Sequence, residues 1–118
     1  MENLFDVIII GSGPAGLTAT LYSTRANLKT LVVAGRAWGG QLMLTTLVEN
    51  YPGFPEGIQG PDLMIAMRKQ AEHHGAQILD VDFKSADYSS RPFKVQTDDE
   101  KEFLSQTVII ATGADTKW

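Results

Sequence analysis

Three glycines carry the first chemical signal. Gly11, Gly13 and Gly16 sit in the run Gly11-Ser12-Gly13-Pro14-Ala15-Gly16, a G-x-G-x-x-G spacing. Where such a run joins a buried strand to a helix, each glycine has a mechanical task. The first permits the tight turn, the second lets the main chain approach a pyrophosphate, and the third lets helix and strand pack closely. The helix start offers unpaired N–H groups and a partial positive charge to phosphates. Pro14 costs little there, because its missing N–H is not needed inside the helix. The spacing alone is weak evidence. It becomes specific because Phe5-Asp6-Val7-Ile8-Ile9-Ile10, an apolar β-branched run, precedes it and a helical stretch from Leu17 to about Ala26 follows.

One partner of this pattern is missing. The general fingerprint ends its second strand with an acid for the ribose hydroxyls, yet Val33 is followed by Ala34-Gly35-Arg36. Either Arg36 faces the 2′-phosphate of NADP, or the nucleotide is FAD with its ribose held another way. The strand–helix–strand unit leaves both readings open.

Other reactive residue types have plainer readings. His73 and His74 close a helix, where cations are favourable. Asp80 and Asp82 alternate on one strand and read as a solvated strand end, with no nucleophile or base in sequence reach. Asp98-Asp99-Glu100 suits a turn, and Met64 and Met67 have helix-core spacing. Trp38, in a glycine-rich loop, divides evenly between plain packing and a wall against a nucleotide or partner. The chain has no cysteine, which removes disulfides, thiolate metal sites and thiol chemistry from these residues. No catalytic residue and no metal ligand is assigned.

The elements that must position the glycine turn follow in order. The helix has Ala19, Leu21 and Tyr22 available to pack inward and Asn27 at its C-terminal end. Thr30-Leu31-Val32-Val33 is a second strand, completing a βαβ unit. From Ala34 to Gly60 no periodicity persists, and a stretch this long points to a ligand-wrapping loop with a short helical turn at Leu42-Met43-Leu44. A helix begins around Gly60-Pro61-Asp62. Leu63, Met64, Met67, Gln70 and Ala71 recur at helical spacing, and Gly75 stops it. Gln77-Ile78-Leu79 is a third strand. Asp80 to Gln106 reads as an antiparallel meander: Phe83 towards Tyr88, a turn at Ser89–Pro92, Phe93–Thr97, a polar turn, and Phe103-Leu104. The last strand is expected at Thr107–Thr112. The fold class is α/β: a four-stranded parallel sheet with a small antiparallel meander as crossover.

The 118 residues fit one domain, with 43% hydrophobic and 20% charged residues as in ordinary globular proteins. A net charge of −4 argues against nucleic acid or an anionic membrane as partner. No apolar run approaches the roughly 20 residues of a membrane span, and the start lacks a basic signal region. The expectation is a cytoplasmic protein.

Several motifs occur in a fixed order: the glycine turn, Arg25-Ala26-Asn27-Leu28, Gly39-Gly40-Gln41-Leu42, Thr45-Thr46, Val48-Glu49-Asn50-Tyr51-Pro52-Gly53-Phe54-Pro55, and Ala111-Thr112-Gly113-Ala114. Together they resemble the low-molecular-weight thioredoxin reductases, and the resemblance runs through essentially the whole chain. That family also tends to lack the acid after the second strand, so the resemblance favours FAD over NADP. It implies a Rossmann-like FAD/NAD(P)-binding fold in which Ser12 to Ala15, between Gly11 and Gly16, cradle the pyrophosphate. Ala34 and Gly35 would lie along the adenosine. Gln41, Thr45 and Asn50, with Gly40 and Leu42 beside them, would meet the ribityl chain or flavin ring. Phe83 would meet the adenine through its backbone, and Ala111, Thr112 and Gly113 would pass under the nucleotide.

The resemblance also implies what these residues do not supply. Residues 1–118 would be the truncated N-terminal portion of an FAD-binding domain. An NADPH domain with a Cys-x-x-Cys pair, and a C-terminal FAD segment, would lie outside it. The full enzyme would pass electrons from NADPH through FAD to its disulfide and then to thioredoxin or a related disulfide protein, as a homodimer. The chain alone would be inactive. Three alternatives remain at this point: a fragment of an alkyl hydroperoxide reductase flavoprotein, a fragment of a thioredoxin-reductase-like ferredoxin–NADP reductase, or a non-catalytic nucleotide-binding module. The start at Met1, close to the first strand, weighs against the first, and the Arg25–Leu28 and Glu49–Pro52 stretches against the second.

Overall fold

A computed structural model describes residues 4–113 of the chain. Strand β1 (Leu4–Ile10) runs into the glycine turn, which opens helix α1 (Pro14–Arg25) and leads back to β2 (Thr30–Val33). A 3₁₀ turn at Gly40–Leu44 and two short strands, β3 (Leu47–Val48) and β4 (Ile58–Gln59), precede helix α2 (Gly60–His73). Then come β5 (Gln77–Leu79), β6 (Phe83–Asp87), β7 (Phe93–Thr97) and β8 (Glu102–Ile110). The main sheet has the order β5-β2-β1-β8-β7-β6. Its first four strands are parallel, and β6, β7 and the first half of β8 pair antiparallel.

The main sheet contributes to two apolar clusters. One groups Val7, Ile9, Val32 and Ala34 with Ala19 of α1 and Trp38. The other groups Phe5, Ile8, Ile10, Leu31 and Val33 with Val95 of β7, so the meander buries residues of the parallel strands as well as extending their sheet. Burial of β1 and β2 in both clusters is why they read as unbroken apolar runs.

Both helices end as their sequences require. Asn27 has φ 63°; its N–H bonds the Thr24 carbonyl and the Leu28 N–H bonds that of Ser23. Gly75, φ 99°, repeats the motif on α2 through Glu72 and Ala71. These are Schellman ends, which need a left-handed residue after the last turn.

Three expectations are corrected. Tyr22 points to solvent, at 68% exposure. The buried face of α1 is Gly16, Leu17, Thr20, Ser23 and Thr24. Its hydroxyls are satisfied locally: Thr20 donates to the Gly16 carbonyl, Thr24 to that of Thr20, and Ser23 pairs with Thr30. Small hydroxyl residues bonded this way pass as core, and a hydrophobic pattern misses them. Secondly, Phe103-Leu104 and Thr107–Ile110 form one strand, which stops before Ala111. The polar interruption at Ser105 is fully buried, with its hydroxyl on the Thr107 carbonyl. Thirdly, the Ala34–Gly60 loop contains the β3–β4 ladder, Leu47↔Gln59 and Val48↔Ile58, too short to register as a period.

Candidate nucleotide-binding site

The glycine turn closes on itself and on the end of β8. The Gly11 N–H bonds the Val33 carbonyl, and the Ala111 N–H bonds that of Ile10. Gly11 has φ +118°, and a Cβ there would overlap the Ala111 carbonyl oxygen. A Cβ on Gly16 would overlap the Gly11 carbonyl oxygen. Gly13 differs: a Cβ there would meet nothing within 4 Å. The first and third glycines are therefore fixed by contact inside the protein, while the second faces open space.

That open space is a cleft of about 860 Å³, within the range of cofactor pockets. It is bounded by Gly11–Pro14, Ala34, Arg36–Trp38, the 3₁₀ turn and Ala111–Gly113. Among the described residues that line it, Arg36 is the only charged one. Helix α1 opens here with Gly13 at its N-cap, no side-chain cap and no acid in its first turn. Its first N–H groups and partial positive charge are thus left for a ligand, which suits an anion.

Ser12 holds the rim. It is 5% exposed; its hydroxyl donates to the Ala34 carbonyl and accepts from the Gly39 N–H, both at 2.8 Å. One hydroxyl thus ties the glycine turn to the end of β2 and to the following loop. Ser12→Ala orphans a buried carbonyl and a buried N–H, and is expected to cost about 2 kcal/mol. Urea unfolding checks this; an unchanged midpoint would contradict it.

Arg36 does not point freely into the cleft. Its Nε and Nη2 grip both carboxylate oxygens of Asp98 at 3.0 and 2.9 Å. The same carboxylate raises the Arg36 pKa, through the hydrogen bond first and charge attraction second. The Arg36 N–H donates to the Asp82 carboxylate at 2.9 Å. So a carboxylate does stand at the end of β2, but it arrives from 46 residues downstream. Asp98, read as turn chemistry, is also a partner for Arg36.

Trp38 packs against the cluster of Val7, Ile9, Val32 and Ala34 and also lines the cleft. The Arg68 guanidinium lies over its ring, 4.6 Å from the centroid. Arg68 in turn holds Asp80 through two hydrogen bonds of 2.7 and 2.9 Å. This pulls the Asp80 carboxyl below its ordinary 3.8, by the hydrogen bond first, with burial opposing. A depressed folded value means stabilisation that is present above pH 3.8 and lost as pH falls through the lower folded value. Asp80 is half exposed, so the effect is screened and amounts to about 0.5 kcal/mol. Asp80→Asn is expected to be less stable than the parent above pH 3.8 and to converge with it in stronger acid. A gap that persists undiminished towards pH 2 would count against this.

Of the residues proposed from sequence, the cleft gathers Gly11, Ser12, Gly13, Pro14, Ala34, Gly40, Gln41, Leu42, Ala111, Thr112 and Gly113. Ala15 and Gly16 continue into α1 behind the turn. Gly35 is tied by its N–H to the Val81 carbonyl. The Thr45 hydroxyl closes the 3₁₀ turn on the Leu42 carbonyl. Asn50 lies in a separate depression with Glu49 and Tyr51–Pro55, and Phe83 stands 39% exposed at the start of β6. Arg36, weighed from sequence only against a 2′-phosphate, lines the cleft, and so do Ala37, Met43 and Leu44, which were not assigned to it. Their position between Ala34 and Gln41, or next to Leu42, was the only available signal.

Comparison with known proteins places this geometry. Residues 5–117 match the family model described as pyridine nucleotide-disulphide oxidoreductase. Over 118 residues the chain is 51% identical to a thioredoxin reductase of Rickettsia bellii, covering all of this chain and 38% of that protein. It is 53% identical to the NADPH-dependent thioredoxin reductase 3 of Arabidopsis thaliana, over 96% of this chain and 22% of the relative. A solved thioredoxin reductase from Giardia duodenalis superposes with a TM-score of 0.92 at 47% identity, covering 98% of this chain and 38% of that one. The chain thus spans less than two-fifths of the length of these relatives.

Proposed function

Because the chain belongs to the pyridine nucleotide-disulphide oxidoreductase family, we propose that it is the FAD-binding N-terminal portion of a thioredoxin reductase and that the cleft over Gly13 holds the flavin nucleotide. The observation that carries this reading is the uncapped start of α1, opening beside Gly13 onto a cleft with no carboxylate among its described lining residues. Pinning of Arg36 by Asp98 weighs against its recognition of a 2′-phosphate, and so favours FAD over NADP.

Main-chain N–H groups at Ser12, Gly13 and Ala15 would face the pyrophosphate; Pro14 has none to offer. Ala34 and Gly35 would border the adenosine, and Phe83 would meet the adenine through its main chain. Gln41, Thr45 and Asn50 would serve the ribityl and ring end, where neutral amides and hydroxyls match carbonyls and ring nitrogens. Ala111–Gly113 would close the underside. When bound, FAD supplies the hydride-accepting ring; these residues supply binding and orientation. NADPH and the redox-active thiols would be held by other parts of the whole enzyme, whose partner is thioredoxin or a related disulfide protein. We place that enzyme in the cytoplasm as a homodimer; among the described residues no helix is long and apolar enough to cross a membrane.

The test is the visible spectrum of the chain after incubation with FAD and gel filtration. Flavin absorbance co-eluting with the protein is expected. A colourless protein that instead retains NADPH would refute the reading.

A further inference from the structure

We propose that Arg68 is a positioning residue for this cleft: gripped by Asp80, its guanidinium lies over the Trp38 indole and fixes that ring as part of the cleft wall. The inference rests on the cleft being the FAD site. Trp38 lies in a loop between Gly35 and Gly39-Gly40, with no helix or strand of its own to orient it. Its place is set by neighbours from three other elements. On one side it packs with Val7, Ile9 and Val32 of the parallel sheet and with Ala34 just past β2. Arg68, from α2, covers its ring at 4.6 Å.

The arginine is itself fixed. Its side chain is 16% exposed. Nη1 and Nη2 donate to the two carboxylate oxygens of Asp80, just past β5, and Nε lies 3.5 Å from Glu72 one turn on. Guanidinium N–H groups lie in the plane of the cation, so bonding to Asp80 leaves its flat face for the indole. A planar, delocalised cation does both at once, and a lysine ammonium cannot. Trp38 and Ala34 both line the cleft, so a shift of the indole changes its shape beside the end of β2, where the adenosine would lie. Arg68 is not among the residues that line the cleft and acts through Trp38.

The experiment uses the 118-residue chain with Trp118→Phe, which leaves Trp38 as its single tryptophan. Acrylamide quenching of Trp38 is read without ligand, and FAD affinity is read separately by titration. Arg68→Met and Asp80→Asn are each expected to raise the quenching constant about twofold. Arg68→Met is expected to weaken FAD binding about tenfold, with Arg68→Lys recovering only part of this. Trp38→Ala should weaken binding to a similar degree, and adding Arg68→Met to it should have no further effect. Asp80→Asn keeps the test open if Arg68→Met does not fold. Unchanged quenching with normal FAD binding, or losses that multiply in the double variant, would overturn the role of Arg68 alone. A parent chain that binds no FAD would overturn the cleft reading and with it any nucleotide role for Arg68.

Discussion

Gly13→Ala is expected to leave the fold's stability within about 0.5 kcal/mol while weakening FAD binding by about tenfold to a hundredfold. The stability half follows from the backbone. Gly13 has φ −73°, which alanine adopts readily, and its added methyl meets nothing within 4 Å. Alanine is a poorer N-cap than glycine, but it also restricts the unfolded chain, and the two effects offset. The binding half follows from where the methyl stands. It projects into the space that a phosphate must enter to reach the first N–H groups of α1. Charge-assisted hydrogen bonds contribute about 1.5–3 kcal/mol each, and every 1.4 kcal/mol is a factor of ten. Urea unfolding and FAD titration on the same preparation separate the two effects. Equal affinity in variant and parent would show that the nucleotide lies elsewhere.

Gly11→Ala should do the reverse and strike stability first, by about 3 kcal/mol or more. Two causes add. At φ +118° an L-residue is strained by about 1–3 kcal/mol. Its methyl would also overlap the Ala111 carbonyl, part of the backbone that follows β8, and overpacking of that kind costs about 1–3 kcal/mol. Gly53→Ala is the control: it has φ +102° but open space around the added methyl, so it carries the strain without the clash. The difference between the two urea midpoints isolates the contact between glycine turn and closing strand. If both variants lose the same stability, that contact is absent in solution.

These two glycines show how far the sequence could be read. Spacing alone assigned different tasks to Gly11, Gly13 and Gly16; a Cβ would clash with backbone at Gly11 and Gly16, while Gly13 has open space around it. The order of strands and helices was equally visible, because β1 and β2 are apolar on both faces and because Asn27 and Gly75 mark helix ends. What stayed hidden were pairings decided in three dimensions. Nothing local tells that Asp82 will reach the end of β2 to take the Arg36 N–H, or that Asp98 will close on its guanidinium. The buried face of α1 escaped because Thr20, Ser23 and Thr24 are polar residues whose hydroxyls find partners within a turn or on Thr30. Ser105 disguised β8 as two strands for the same reason. Arg68 and Trp38 are 30 residues apart, and their stacking requires α2 to lie beside the loop after β2. Thr45 and Asn50 came from a family resemblance, and the described structure leaves them outside the main cleft.

As the proposed flavin site, this cleft is expected to take FAD in preference to NADP. Titrating the chain with each nucleotide, and following Trp38 fluorescence in the Trp118→Phe background, tests it most directly. Saturation by FAD is expected at far lower concentration than by NADP, with Gly13→Ala shifting FAD saturation to higher concentration. Tighter saturation by NADP, lost when Arg36 is replaced, would contradict it.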